Sequence, residues 1–296
     1  MSAAFENLLL NPSTKQQLTS FVSQPSQGLL ILGPAGSGKK YTARRLSAEL
    51  LGSSYEGLAS QPHFTVVSKE ADKSEISIEA ARRLIKLMSL RVPSNGNRIN
   101  RIALIEEAGL LSTEAQNALL KLLEEPPAGS LIILTAESDG DILPTIASRL
   151  QKLNILPADL RPSLEFFGNI YQPSDIESHW RLSQGAVGLL ASLLAEDTNH
   201  PLKAAVAQAK EFLTLDNGKR LIYLEAIAKD KEQLRLFLEA LAKVLAALQE
   251  ASLKGPRSRS NKMLQARRLV YRALKSADNN VSPCLLVLQL ALNMPL

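Results

Sequence analysis

The sequence predicts an α/β domain built on a parallel sheet with flanking helices, followed by an all-helical remainder. Short apolar runs alternate with amphipathic segments through the first half of the 296 residues. The runs Leu29–Leu32, Phe64–Val67, Ile102–Ile105 and Leu131–Thr135 read as buried strands, because they are apolar on both faces. Helical patterns near Lys39–Leu51, Ile78–Leu90 and Thr113–Leu123 separate them, and this alternation implies right-handed crossovers between parallel strands. Pro126-Pro127 closes the third helix, since proline cannot continue it.

After about Leu156 the strand signals stop. The stretch from Leu156 to Pro162 reads as a linker, and a small unit of two or three short helices follows, with Ser174 or Asp175 as the expected N-cap of one of them. Longer helices are predicted from about His200, among them Lys229–Ala251, and Ser252–Asn261 is predicted to be an exposed loop. The domain boundaries expected are 1–157, 158–199 and 200–296.

Bulk properties exclude several classes. A single cysteine, Cys284, leaves no disulfide framework and no Cys-rich zinc site. His63, His179 and His200 lack metal-ligand spacing, so no metal site is expected. No apolar run approaches the roughly 18 residues that span a bilayer, and MSAAFENLLLNPSTKQQ lacks a basic-then-apolar signal pattern. A cytoplasmic protein with no membrane partner is therefore expected. The net charge of +5 and pI near 9.3 are compatible with nucleic acid without requiring it.

Chemistry concentrates at two places. Gly33-Pro34-Ala35-Gly36-Ser37-Gly38-Lys39-Lys40 fits G-x-x-x-x-G-K, with Lys where Ser or Thr is usual. It follows a strand and opens a helix, so its N–H groups and the helix dipole would face phosphate, with Lys39 reaching the terminal phosphates. Lys40 replaces the hydroxyl that ordinarily ligates Mg²⁺, which puts metal binding in doubt. The second place is Glu106-Glu107 at the carboxyl end of a strand, where ligands of open α/β sheets bind. In a phosphate-loop hydrolase the first acid meets the metal sphere and the second polarises water. Glu106 stands where Asp is expected; Glu107 is the candidate base. Both could also be solvated acids at a strand end.

The order of these motifs resembles the AAA+ clamp-loader family. Glu114–Pro127, EAQNALLKLLEEPP, is similar to the signature of bacterial DNA polymerase III gamma/tau and delta-prime subunits, and Leu143–Leu150, LPTIASRL, to the family's LPTIxSRC. Ile78–Ile85 resembles the helix preceding the acidic strand. The resemblance covers Leu29–Asn154 and implies an AAA+ P-loop NTPase domain, then a small helical lid and an all-α collar ending near Asn280–Leu290. It implies that Arg149 is an arginine finger given to ATP on a neighbouring subunit and that Thr135 is the sensor 1 residue. It also implies that Ser77, Arg82, Ser112 and Thr113, at or near helix N-termini, meet DNA phosphates, though helix capping accounts equally for Ser112 and Thr113.

Departures narrow the branch. Leu150 replaces the motif's Cys, the four-cysteine zinc module is absent between Gly52 and His63, and Gly185–Leu189 lacks the sensor 2 arginine. Lost metal hydroxyl, altered acid and lost arginine with a retained Ser148-Arg149 resemble the delta-prime branch. That resemblance implies gamma/tau and delta subunits, a sliding clamp and primer–template DNA as partners, with ATP held weakly or structurally. The alternatives are an ATP-hydrolysing gamma/tau-type motor subunit and a non-catalytic AAA+ adaptor. Lys254–Lys275 carries eight basic residues and no acid. It could touch DNA phosphates or an acidic partner, or be a solvated face.

Overall fold

A computed structural model describes residues 5–70, 73–90, 92, 98–195, 201–252, 257–278 and 281–295. The chain divides into two compact units, Met1–Asp159 and Leu160–Leu296.

The first unit holds five parallel strands in the order β2-β3-β4-β1-β5. They are β1 (Gly28–Leu32), β2 (Phe64–Val67), β3 (Arg101–Ile105), β4 (Ser130–Ala136) and β5 (Gln151–Asn154). Helices α1 (Pro12–Ser23), α2 (Lys39–Leu51), α3 (Ile78–Met88), α4 (Thr113–Glu124) and the single turn α5 (Pro144–Ala147) join them. Alternate side chains of each central strand go to opposite faces. Leu29, Ile31, Ile102, Leu104, Leu131 and Ile133 enter one core with residues of α1 and α2. Leu30, Leu32, Ala103, Ile105, Ile132 and Leu134 enter the other with α3, α4 and α5. Both faces are thus covered, which is why these strands read as uninterrupted apolar runs.

Four strands and three helices follow the sequence pattern. β2 has the expected bounds but is half-buried throughout, as an edge strand. β5 is not predicted, because QKLN buries only Leu153 and lies at the opposite edge. α1 is not predicted either. It begins with Pro12 in its first turn, and the Asn11 Oδ1 accepts from the Ser13 N–H at 3.0 Å.

The second unit is helical: α6 (Leu160–Phe167), α7 (Pro173–Ser183), α8 (Val187–Leu194), α9 (Pro201–Thr214), α10 (Asn217–Ile227), α11 (Lys231–Ser252), α12 (Arg257–Asp278) and α13 (Pro283–Asn293). One apolar cluster draws on α9 to α13 and includes Leu182 of α7. Two local expectations are corrected. The N-cap of α7 is Gln172, because Pro173 takes the first helical position and leaves Ser174 and Asp175 inside the first turn. Of the expected loop Ser252–Asn261, Arg257–Asn261 is helix, while 253–256 lie outside the described residues. Arg and Lys are good helix formers, so a basic, polar opening does not prevent the turn from forming.

Candidate functional site

Strands β3, β4 and β1 are neighbours, so their carboxyl ends bring three sequence-distant segments together. The loop after β1 turns through Gly36 at φ 75° and Gly38 at φ 90°, conformations that glycine adopts without steric cost. Gly38 is the N-cap of α2, so the first amides of that helix face the loop. Gly33 allows a close approach: a Cβ there would lie 2.9 Å from Ser37 Oγ and 3.1 Å from Ile155 Cβ. The Ser37 Oγ is buried and has no hydrogen-bond partner.

Lys39 folds back over the loop, its Nζ donating to the carbonyls of Gly33 at 2.6 Å and Pro34 at 3.0 Å. Burial pushes its pKa below the usual lysine value, against the pull of nearby Glu137 and Glu107. Lys40 turns outward, and its Nζ pairs with Glu107 Oε2 at 3.1 Å. One helical turn further on, Arg44 Nε donates to Glu106 Oε1 at 2.8 Å. Glu106 is buried and Arg44 half-exposed. Both acids of the strand end are therefore paired with cations of α2. Thr42, two residues beyond Lys40 on α2, is buried.

Glu107 has a left-handed backbone, φ 54° and ψ 52°. Its N–H donates to Thr135 Oγ1 at 2.9 Å. Thr135, fully buried in β4, thus ties the acidic turn to the central strand. The structure brings Gly33–Lys40, Glu106, Glu107 and Thr135 into one site. Arg44 is the member that sequence reading missed; its signal is the four-residue spacing from Lys40, which places both cations on one side of α2.

Arg149 lies elsewhere. It follows α5 and precedes β5, whose Gln151 pairs with Leu29, so Arg149 stands at the amino end of β1. Its carbonyl is 3.6 Å from where a Gly28 Cβ would be. The loop Gly33–Lys40 begins at the carboxyl end of the same strand, about 16 Å away at 3.3 Å per residue. The half-exposed guanidinium is held by Glu124 Oε1 at 2.6 Å and by the Thr145 carbonyl at 2.5 Å. Leu150, in place of Cys, is buried in the sheet-face core.

The proposed DNA-facing residues cluster by a separate device. Ile76 and Leu111 form an isolated parallel bridge, with Ile76 N–H donating to Leu110 O at 2.7 Å and Ser112 N–H to Ile76 O at 3.1 Å. This sets the first residues of α3 and α4 side by side. Ser112 caps α4, its Oγ accepting from the Ala115 N–H at 3.1 Å. Ser77 is the N-cap residue of α3. The Glu79 backbone amide first, and then the nearby Ser77 hydroxyl, hold the Glu79 pKa below the usual carboxylate value. Arg82 and Thr113 are exposed. No helix among the described residues is long and apolar enough to cross a membrane.

A family described as DNA polymerase III, delta subunit, matches residues 11–159, about half of the chain. A delta-prime subunit of DNA polymerase III from Pseudomonas aeruginosa is 30% identical over 141 residues, 43% of this chain and 42% of that protein. The corresponding subunit of Haemophilus influenzae is 30% identical over 139 residues, 47% of this chain and 40% of that one. The chain therefore spans less than half the length of either relative. A gamma subunit-related DNA polymerase III protein from Thermotoga maritima superposes with a TM-score of 0.53 over 94% of this chain and 97% of its own, at 16% identity, a likeness of fold alone.

Proposed function

Because the chain belongs to the delta-prime clamp-loader family of DNA polymerase III, we propose that it donates Arg149 to ATP bound on a neighbouring gamma/tau subunit. The observation that carries this reading is the placement of Arg149. It stands at the opposite end of β1 from the chain's own phosphate loop, on the surface, which supports a role at a site outside this domain. A guanidinium aimed at a transferring phosphoryl group stabilises the charge that develops there, an effect of about 10³–10⁵ in rate.

The same reading gives the chain's own loop a nucleotide-holding role with little or no hydrolysis. The inward-turned glycines, the opening of α2, Lys39 and the orphaned Ser37 hydroxyl fit a polyphosphate. The residues do not fit Mg²⁺: a lysine replaces the ligating hydroxyl, and Glu106 and Glu107 are engaged by Arg44 and Lys40. The assembly would include gamma/tau and delta subunits and load a sliding clamp onto primer–template DNA in the cytoplasm. The paired amino ends of α3 and α4, with Ser77, Arg82, Ser112 and Thr113, would follow the DNA backbone.

The test is DNA- and clamp-stimulated ATPase of the chain reconstituted with gamma/tau and delta subunits of the same organism. Arg149→Ala is expected to lower turnover by at least about tenfold while the complex still assembles. Unchanged turnover in an assembled complex refutes the donor role. The Arg149–Glu124 contact is half-exposed and worth about 0–1 kcal/mol, so loss of folding is not the expected cause of the defect.

A further inference from the structure

Helix α12 contains seven arginines and lysines and one aspartate, a net charge of +6 beside +5 for the whole chain. The rest of the protein is thus close to neutral, and its basicity is a property of this helix. Ala266, Val270 and Ala273 bury one side of α12 in the core of the second unit. Arg268, Arg272 and Lys275, spaced at i, i+4 and i+7, are exposed on the other side, and none forms an ion pair with a described residue. From Arg268 to Lys275 the stripe runs about 10 Å at 1.5 Å per residue.

We infer that this face is a binding surface for the phosphate backbone of duplex DNA, read without regard to sequence. It is independent of the phosphate loop, of Arg149 and of the amino ends of α3 and α4. Three cations in a line, unpaired among the described residues, match a polyanion with regularly spaced charges, whose condensed counterions they would release. An acidic protein segment usually needs an apolar anchor between its charges. Here, among the described residues, the exposed side offers only Tyr271, whose ring is partly covered by the Arg267 guanidinium at 5.8 Å. Arg267 is itself tied to Gln249 Oε1 at 2.6 Å. A lone, partly covered ring also disfavours a single strand, which binds through successive stacked bases.

The experiment measures binding of the full chain to a mixed-sequence duplex of about 30 base pairs by fluorescence anisotropy across a salt series. Three phosphate contacts contribute a slope of about −2.7 in log K against log salt, about 40-fold in affinity between 50 and 200 mM. Arg268→Gln, Arg272→Gln and Lys275→Gln together are expected to flatten the slope by about 2 to 3, where Arg82→Ala flattens it by about 1. Arg268→Lys with Arg272→Lys keeps the charge and is expected to keep the slope. An unchanged slope in the triple variant overturns the proposal, as does loss of binding in the lysine pair, which would mark a structural role. Displacement of the duplex by polyglutamate at equal charge concentration also overturns it, in favour of an acidic protein partner.

Discussion

Glu107 occupies a left-handed backbone that costs a glutamate on the order of 1 kcal/mol or more, and its carboxylate is committed to Lys40. A general base needs its lone pair free for the water it activates. Glu107→Gln is therefore expected to leave the stimulated ATPase of the reconstituted assembly within about twofold of wild type. Because the Lys40 pair is half-exposed, chain stability should change by no more than about 1 kcal/mol, read by urea unfolding. A loss of tenfold or more would instead make this chain a hydrolysing subunit with Glu107 as its base. At this scale the sequence is partly legible. Lys40 and Glu106 stand out as departures from a phosphate-loop motif, because motif positions constrain single residues. Their capture by Glu107 and Arg44 is not legible, since it depends on α2 lying over the end of β3, a contact between residues 62 and 67 positions apart. Nor does EAQNALLKLLEEPP reveal that Glu124 restrains Arg149.

Among the elements, legibility follows burial. β1, β3 and β4 lie at the centre of the sheet with both faces covered, so each is an apolar run and is placed by its pattern alone. β5 has one buried side chain and is recruited by pairing with β1 through backbone hydrogen bonds, which leave no mark on composition. Helix pairing in the second unit depends on particular polar contacts of the same hidden kind. The Tyr223 hydroxyl of α10 donates to Glu211 Oε2 of α9 at 3.0 Å and lies 3.3 Å from the Gln208 carbonyl. Burial first, and then the Glu211 carboxylate, push its pKa up to about 12 from an ordinary 10. Below pH 10 the phenol is protonated in both folded and unfolded chains, and the contact contributes in full. As pH rises from 10 through 12 the unfolded chain releases the proton and the folded one keeps it, so this contribution is lost. Tyr223→Phe should cost about 1 kcal/mol at neutral pH and remove that part of the alkaline decline. Urea midpoints of both proteins between about pH 8 and 11 check this, and parallel declines would remove Tyr223 as the cause.

At the scale of the whole molecule, every residue of the two sheet-face cores lies in Met1–Asp159, and every residue of the helical core lies in Leu160–Leu296. A chain segment of that length with both faces of its sheet covered is large enough to be a domain of its own. The first unit also keeps its edges within itself: β2 and β5 end the sheet, and α1 returns to β5 through Thr14 Oγ1, which donates to the Asn154 carbonyl at 2.9 Å. Asn11 Nδ2 reaches the Pro157 carbonyl at 2.9 Å, so the last residues before the boundary are held by the first helix. The segment Met1–Asp159 expressed alone is accordingly expected to unfold in one cooperative urea transition, with a slope that matches its own buried area rather than that of the full chain. The full chain should then depart from two-state behaviour, its near- and far-ultraviolet circular dichroism giving different midpoints. A segment without a cooperative transition would mean that the α/β unit draws stability from residues beyond 159. The phosphate loop, the acidic turn and Arg149 would then have to be studied only in the complete chain. If the segment folds, its loop can be titrated with pyrophosphate in the absence and presence of Mg²⁺. Binding that is indifferent to the metal follows from the ion pairs that engage Glu106 and Glu107.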